Sequence, residues 1–176
     1  HLTCHQRGRP KWNELNHCFI PNNPPKNMSV IGAANGIFNY QDIFKDSKIK
    51  LTKILQNLGH KKVSIEEVKI SNRVYKVSPF PKNIPEGKVW VDLQNDVTVK
   101  DIKLAVHEGF HSVELLKRYT TLGMATDQGK NSNVLGLSIL SVIKNKPMDE
   151  VGTTIFRPPF TPVSYTHLTL PTKPSV

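Results

Sequence analysis

Hydrophobic and polar positions alternate along this chain in patterns that change near its middle. Met28-Ser29-Val30-Ile31 is a short apolar run that predicts a strand, followed by the small-residue turn Gly32-Ala33-Ala34-Asn35-Gly36 and a helical pattern. Leu51, Ile54, Leu55 and Leu58 recur at helical spacing, and Gly59 supplies a C-terminal stop, so a second helix with a core-facing stripe is expected there. From Lys61 to Trp90 the pattern shifts to alternation through Val63, Ile65, Val68, Ile70, Val74, Tyr75 and Val77, interrupted by Pro79, Pro81 and Pro85. Proline removes a ladder donor, so this predicts short strands and a linker, with a domain boundary near Gly87.

Beyond that boundary the signals are helical. Thr98-Val99-Lys100-Asp101 has the form of a capping box, and Ile102, Ala105 and Val106 make one apolar face. Ser112 can cap a second helix carrying Val113, Leu116 and Tyr119. A third helix carries Leu135, Ile139, Val142 and Ile143 and is closed by Pro147. Earlier, His1 to Ile20 reads as a hairpin or extended connection turning at Arg7-Gly8-Arg9-Pro10, and Pro21-Asn22-Asn23-Pro24-Pro25 reads as a loop.

At 176 residues the chain can bury one core or parts of two. It carries no charged-then-apolar leader pattern and no long apolar run, so a soluble cytoplasmic piece with no membrane partner is expected. Cys4 and Cys18 do not make a disulfide framework and are expected as free thiols. The net charge of +10 raises nucleic acid as a partner. The lysines are scattered and no aromatic ladder accompanies them, so a solvated basic surface is the better reading and no nucleic acid is expected.

Three motifs carry candidate chemistry. Strand, small-residue turn and helix at Met28–Gly36 is a geometry that lets backbone approach a dinucleotide, although G-x-G-x-x-G is absent. The run Thr120 to Lys130 holds Gly123 and Gly129 between two helical patterns and suits either an inter-helix turn or an anion loop. A Walker loop needs four residues between its glycines and then Lys-Ser/Thr; here five intervene and Asn131 follows Lys130, so that reading fails. His107-Glu108-Gly109-Phe110-His111 matches the zinc motif H-E-x-x-H. Gly109 and Ser112 suggest a break between the histidines, Glu114 stands where the extended motif wants glycine, and no third ligand follows, so no metal site is expected.

Three blocks carry a family resemblance. Val91-Asp92-Leu93-Gln94-Asn95-Asp96-Val97-Thr98, then Lys117 to Lys130, then Gly152-Thr153-Thr154-Ile155-Phe156-Arg157-Pro158-Pro159-Phe160-Thr161-Pro162-Val163-Ser164 resemble, in this order, the alpha subunit of heterotetrameric sarcosine oxidase. The likeness runs from about His1 to Ser164. It implies an α/β fold plus a small α-helical domain: residues 1–60 as the C-terminal piece of a two-dinucleotide-binding (FAD/NAD-type) domain, 61–87 a strand-rich linker, 88–150 a small helical domain, and 151–165 a linker toward a folate-binding domain. Residues 166–176 read as a non-native tail.

In such a family the alpha subunit carries NAD, FMN lies at the interface with the beta subunit, FAD lies in the beta subunit, and tetrahydrofolate is bound in the C-terminal domain. The resemblance implies oxidative demethylation of sarcosine to glycine, with hydrogen peroxide and 5,10-methylenetetrahydrofolate formed by alpha, beta, gamma and delta subunits together. Ala33, Ala34, Gly36, Phe38 and Tyr40 are the positions carried over to NAD, with Phe38 and Tyr40 standing where the family usually has smaller or aliphatic residues. No catalytic residue falls in this chain, which is expected to be inactive as a fragment.

The helical unit also resembles the small iron–sulfur domain of bacterioferritin-associated ferredoxins and related amino-acid dehydrogenases. Cysteines would stand there at Asp92, Gln94 and Asp127. Cluster iron needs thiolates and none is present in this unit, so no iron–sulfur centre is expected and the related amine or opine dehydrogenases are disfavoured. The alternative from another class is a non-catalytic interaction module, in which the glycine-alanine turn is packing alone.

Overall fold

A computed structural model of the chain describes residues 3–4, 8–60, 80, 84 and 86–155. The chain divides into two compact units, His1–Val77 and Ser78–Val176. The linker expected over 61–87 falls almost wholly outside the described residues, as do the far part of the 151–165 linker and the 166–176 tail.

In the first unit, β1 (Lys11–Asn13) pairs antiparallel with β2 (Cys18–Ile20), register Trp12 to Phe19. The expected hairpin is present, but its turn is Glu14 to His17 rather than Arg7–Pro10. The reason is local. Asn13 Oδ1 accepts from the backbone N–H of Leu15 at 2.9 Å and of Asn16 at 3.2 Å, reversing the chain just after β1. Trp12, buried to 4% exposure, meets Phe19 edge-on at 5.0 Å between ring centroids. Cys4 and Cys18 are both free thiols, and burial pushes the Cys18 thiol up from its ordinary value.

Residues 28–31 do not form the expected strand, because no described segment offers them a ladder partner. Gly32–Asn35 instead coil into a 3₁₀ turn that Gly36 ends in the left-handed region at φ 77°. α1 (Tyr40–Asn57) then runs as one helix. Asn39 caps its start by accepting from Gln41 N–H at 2.9 Å. Its end carries paired bonds from Gly59 N–H to Gln56 O and from His60 N–H to Leu55 O, both 3.0 Å, with Gly59 at φ 86°. α1 buries none of its residues, so the core-facing expectation is overturned: Phe44, Leu51, Ile54 and Leu58 lie exposed along it. Periodicity identifies an apolar stripe but not what covers it.

The second unit has its own core. β3 (Trp90–Asp92) and β4 (Val97–Thr98) pair antiparallel across a bulge, and four helices follow: α2 (Val99–His107), α3 (Val113–Thr120), α4 (Asn133–Lys144) and α5 (Met148–Val151). The expected capping box closes α2, with Thr98 N–H donating to Asp101 Oδ2 at 2.7 Å and Asp101 N–H to Thr98 Oγ1 at 3.4 Å. Ser112 caps α3 through Leu115 N–H at 3.2 Å. Ile102, Leu116, Leu140 and Met148 are fully enclosed where α2 meets α3 and α4, and α4 meets α5. A Cβ on Gly136 of α4 would fall 2.5 Å from Leu122 Cδ2, so the buried Leu122 anchors the inter-helix loop onto α4. No helix among the described residues is long and apolar enough to cross a membrane.

Candidate functional site

Two glycine-bearing turns precede helices, and they differ in what fills them. At the first, Gly36 packs so closely on the hairpin that a Cβ there would stand 2.7 Å from Ile20 Cγ2 and 3.6 Å from Cys18 Sγ. Asn16 Nδ2, from the hairpin turn, donates to Gly36 O at 2.8 Å. These contacts hold the turn beside an open pocket of about 370 Å³ lined by Asn16, Gly36, Ile37, Phe38, Asn39 and Asp42.

Of the five residues carried over to NAD, Gly36 and Phe38 line this pocket. Ala33 and Ala34 sit in the 3₁₀ turn just before it, and Tyr40 is the first residue of α1. Phe38 lies just before α1 and its Asn39 cap. Phe38 and Tyr40 are 43% and 54% exposed. Sequence reasoning missed Asn16, Asn39 and Asp42. The Asn39 cap followed by an acid in the first turn is a readable helix-start signal; Asn16 reaches in from a separate hairpin and leaves no local signal.

At the second turn, residues 121–130, the chain fills its own loop. Asp92, 3% exposed, accepts from Gly123 N–H at 2.8 Å and Ser132 Oγ at 3.3 Å through Oδ2, and from Gln94 N–H at 3.0 Å and Asn95 N–H at 3.3 Å through Oδ1. Gln94 Oε1 accepts from Thr126 Oγ1 at 3.0 Å and Asp127 N–H at 3.4 Å, and Asp127 Oδ1 accepts from Gly129 N–H at 3.1 Å. Asn95 Nδ2 donates to Thr121 O at 2.8 Å. Asn133 is wedged between the glycines: a Cβ on Gly123 would fall 2.2 Å from its Oδ1, and one on Gly129 2.3 Å from its Nδ2.

Asp92, Gln94 and Asp127, the three positions compared with cluster cysteines, therefore converge on one loop as oxygen acceptors for its donors. The anion reading of this loop fails on the same ground, since Gly123 N–H and Gly129 N–H already have carboxylate partners.

The zinc motif comes apart. α2 ends at His107, and Gly109, at φ 90°, completes a terminating pair of bonds: Gly109 N–H to Val106 O at 3.1 Å and Phe110 N–H to Ala105 O at 2.9 Å. His107 and His111 are thus not one helical turn apart, and both are exposed. Nearby, Phe110 stacks on Tyr119 at 4.4 Å between centroids.

Residues 86–170 match the family model of the sarcosine oxidase A3 domain. The chain is 41% identical over 172 residues to a sarcosine oxidase subunit alpha of Rhizobium meliloti (strain 1021), covering 96% of this chain and 17% of that relative. It is 29% identical over 177 residues to a sarcosine oxidase subunit alpha of Corynebacterium sp. (strain U-96), covering 96% of this chain and 18% of the relative. The chain is thus similar to sarcosine oxidase alpha subunits along nearly its whole length, with a sarcosine oxidase A3 domain matched over residues 86–170, and it spans less than a fifth of the length of those two relatives.

Proposed function

We propose that this chain is a stretch of an oxidoreductase alpha subunit that works in oxidative demethylation of sarcosine to glycine, yielding hydrogen peroxide and 5,10-methylenetetrahydrofolate. The observation that carries this reading is the 41% identity running through 96% of the chain. On this reading NAD is held at Ala33, Ala34, Gly36, Phe38 and Tyr40. FMN lies at an interface with a beta subunit, FAD in that beta subunit, and tetrahydrofolate in a domain outside these residues, with gamma and delta completing the assembly in the cytoplasm.

The residues present fit part of a dinucleotide. Gly36 and Phe38 line an open pocket, and the left-handed Gly36 brings backbone to its wall. The chain's own contribution is binding and orientation; no residue here is given a role in the amine oxidation. The second unit, with Leu93 82% and Met124 52% exposed on two loops laced together by hydrogen bonds, supports a role in shaping subunit contacts near the flavins.

A segment swap tests the reading. Residues 1–164 of this chain replace the matching segment of the Rhizobium meliloti alpha subunit, coexpressed with its partner subunits. We expect an assembled complex that makes peroxide from sarcosine within about tenfold of the parent rate. An assembled complex that binds no NAD and oxidises no sarcosine contradicts it. The interaction-module alternative draws support from the exposed stripe of α1, and it predicts assembly with no NAD bound.

A further inference from the structure

We infer that the chain's own continuation, Phe156-Arg157-Pro158-Pro159-Phe160-Thr161-Pro162-Val163, docks on the exposed face of α3 formed by Leu115, Tyr119 and Phe110, so that whatever follows is held against the second unit. This stands apart from the cofactor reading. Those residues lie outside the described ones, and the surface they meet is described.

The first observation is where the described chain stops. Ile155 N–H donates to Glu114 Oε1 at 2.9 Å, and Glu114 Oε2 is held by Arg118 Nη1 at 3.1 Å. The chain is therefore pinned at the first turn of α3, beside Leu115, and its sequence runs on from there to Val176.

The second is the face itself. Leu115 and Tyr119, one helical turn apart, are 49% and 44% exposed. Phe110 stacks on Tyr119 at 4.4 Å between ring centroids. Paired rings beside an aliphatic side chain are the surface that proline-rich segments dock on.

The third is the segment's composition. Pro158, Pro159 and Pro162 fix φ and favour the extended polyproline form, which loses little freedom on docking. In that form Ile155 to Pro159 covers about 12 Å, and Glu114 to Tyr119 covers about 8 Å along α3. The paired prolines therefore reach the rings.

The fourth is an enclosed hydroxyl. Thr154 is 3% exposed, and its Oγ1 has no hydrogen-bond partner among the described residues, a costly state. The donors next along the chain are the N–H groups of Phe156 and Arg157, because Pro158 and Pro159 have none. A bond from either holds the start of the segment against the unit. A second copy of the chain is the weaker occupant, since a net charge of +10 opposes self-pairing and a tethered segment is already at high local concentration.

The test is NMR of the carbon-13-labelled 176-residue chain, with chymotryptic cleavage after Phe160 followed by mass. We expect nuclear Overhauser contacts between the Tyr119 ring and the Pro158 or Pro159 side chains. Tyr119→Ala should speed the cleavage about tenfold, while Leu104→Ala, exposed on α2, leaves it unchanged. Pro158→Gly with Pro159→Gly, which alters no described residue, should speed it similarly and serves if Tyr119→Ala does not fold. Absence of the ring–proline contacts in the parent chain overturns the inference. So does cleavage at the parent rate in the proline double variant. Contacts found only between labelled and unlabelled chains in a mixed sample also overturn it, giving the face to a second copy.

Discussion

The two glycine-bearing turns of this molecule start from similar composition and reach opposite ends. At 32–36 the glycines let the chain bend tightly against a hairpin, and the side chains that follow leave a pocket open to solvent. At 121–130 the glycines make room for the chain itself: Asn133 occupies the space between Gly123 and Gly129, and Asp92, Gln94 and Asp127 take up the loop's donors. Whether a glycine loop serves a ligand or the fold is decided by what its own neighbours already occupy. A count of glycines and small residues carries no such information.

The comparison breaks most visibly at Gly129. An alanine there adds a Cβ 2.3 Å from the Asn133 amide at a backbone φ of 70°. Overpacking and left-handed strain together should cost about 3 kcal/mol, seen as a lower urea midpoint for the second unit. Asp92→Ala comes next, because it strips the buried Gly123 N–H of its acceptor along with three further donors. A loss of about 2–3 kcal/mol is expected by the same measurement.

Thr98→Ala removes one half of the capping box and should cost about 1 kcal/mol, a smaller shift in the same transition. At the open turn the expectation reverses. Phe38→Ala removes an exposed ring and should change stability by less than about 0.5 kcal/mol, yet weaken NAD severalfold in calorimetric titration. The smallest effect belongs to His107→Ala, whose exposed imidazole sits at the end of α2 and whose loss should leave both stability and zinc content unchanged.

What the sequence made legible was mostly local. Thr98 with Asp101, Ser112 with Leu115, and the stops at Gly59 and Gly109 all act within a few residues of themselves, so their residue types announce them. The break in H-E-x-x-H was readable for the same reason. Signals that depend on a partner were not. Residues 28–31 have strand composition but no ladder, the α1 stripe has helical period but no cover among the described residues, and the hairpin turn was displaced because Asn13, not Gly8, reverses the chain. Asp92 was singled out only as a place where a cysteine was missing. Its role as the clamp of a loop 31 residues away in sequence needs the fold to bring them together. Asn16 is the same case at the pocket, 20 residues from Gly36.

Hydrogen–deuterium exchange of the chain with and without NAD tests the central distinction most directly, because both turns are read in one experiment. The account predicts slowed exchange across residues 32–42 and no change across 121–133, where the donors are already held by Asp92, Gln94 and Asp127. Protection at 121–133 with none at 32–42 would contradict it.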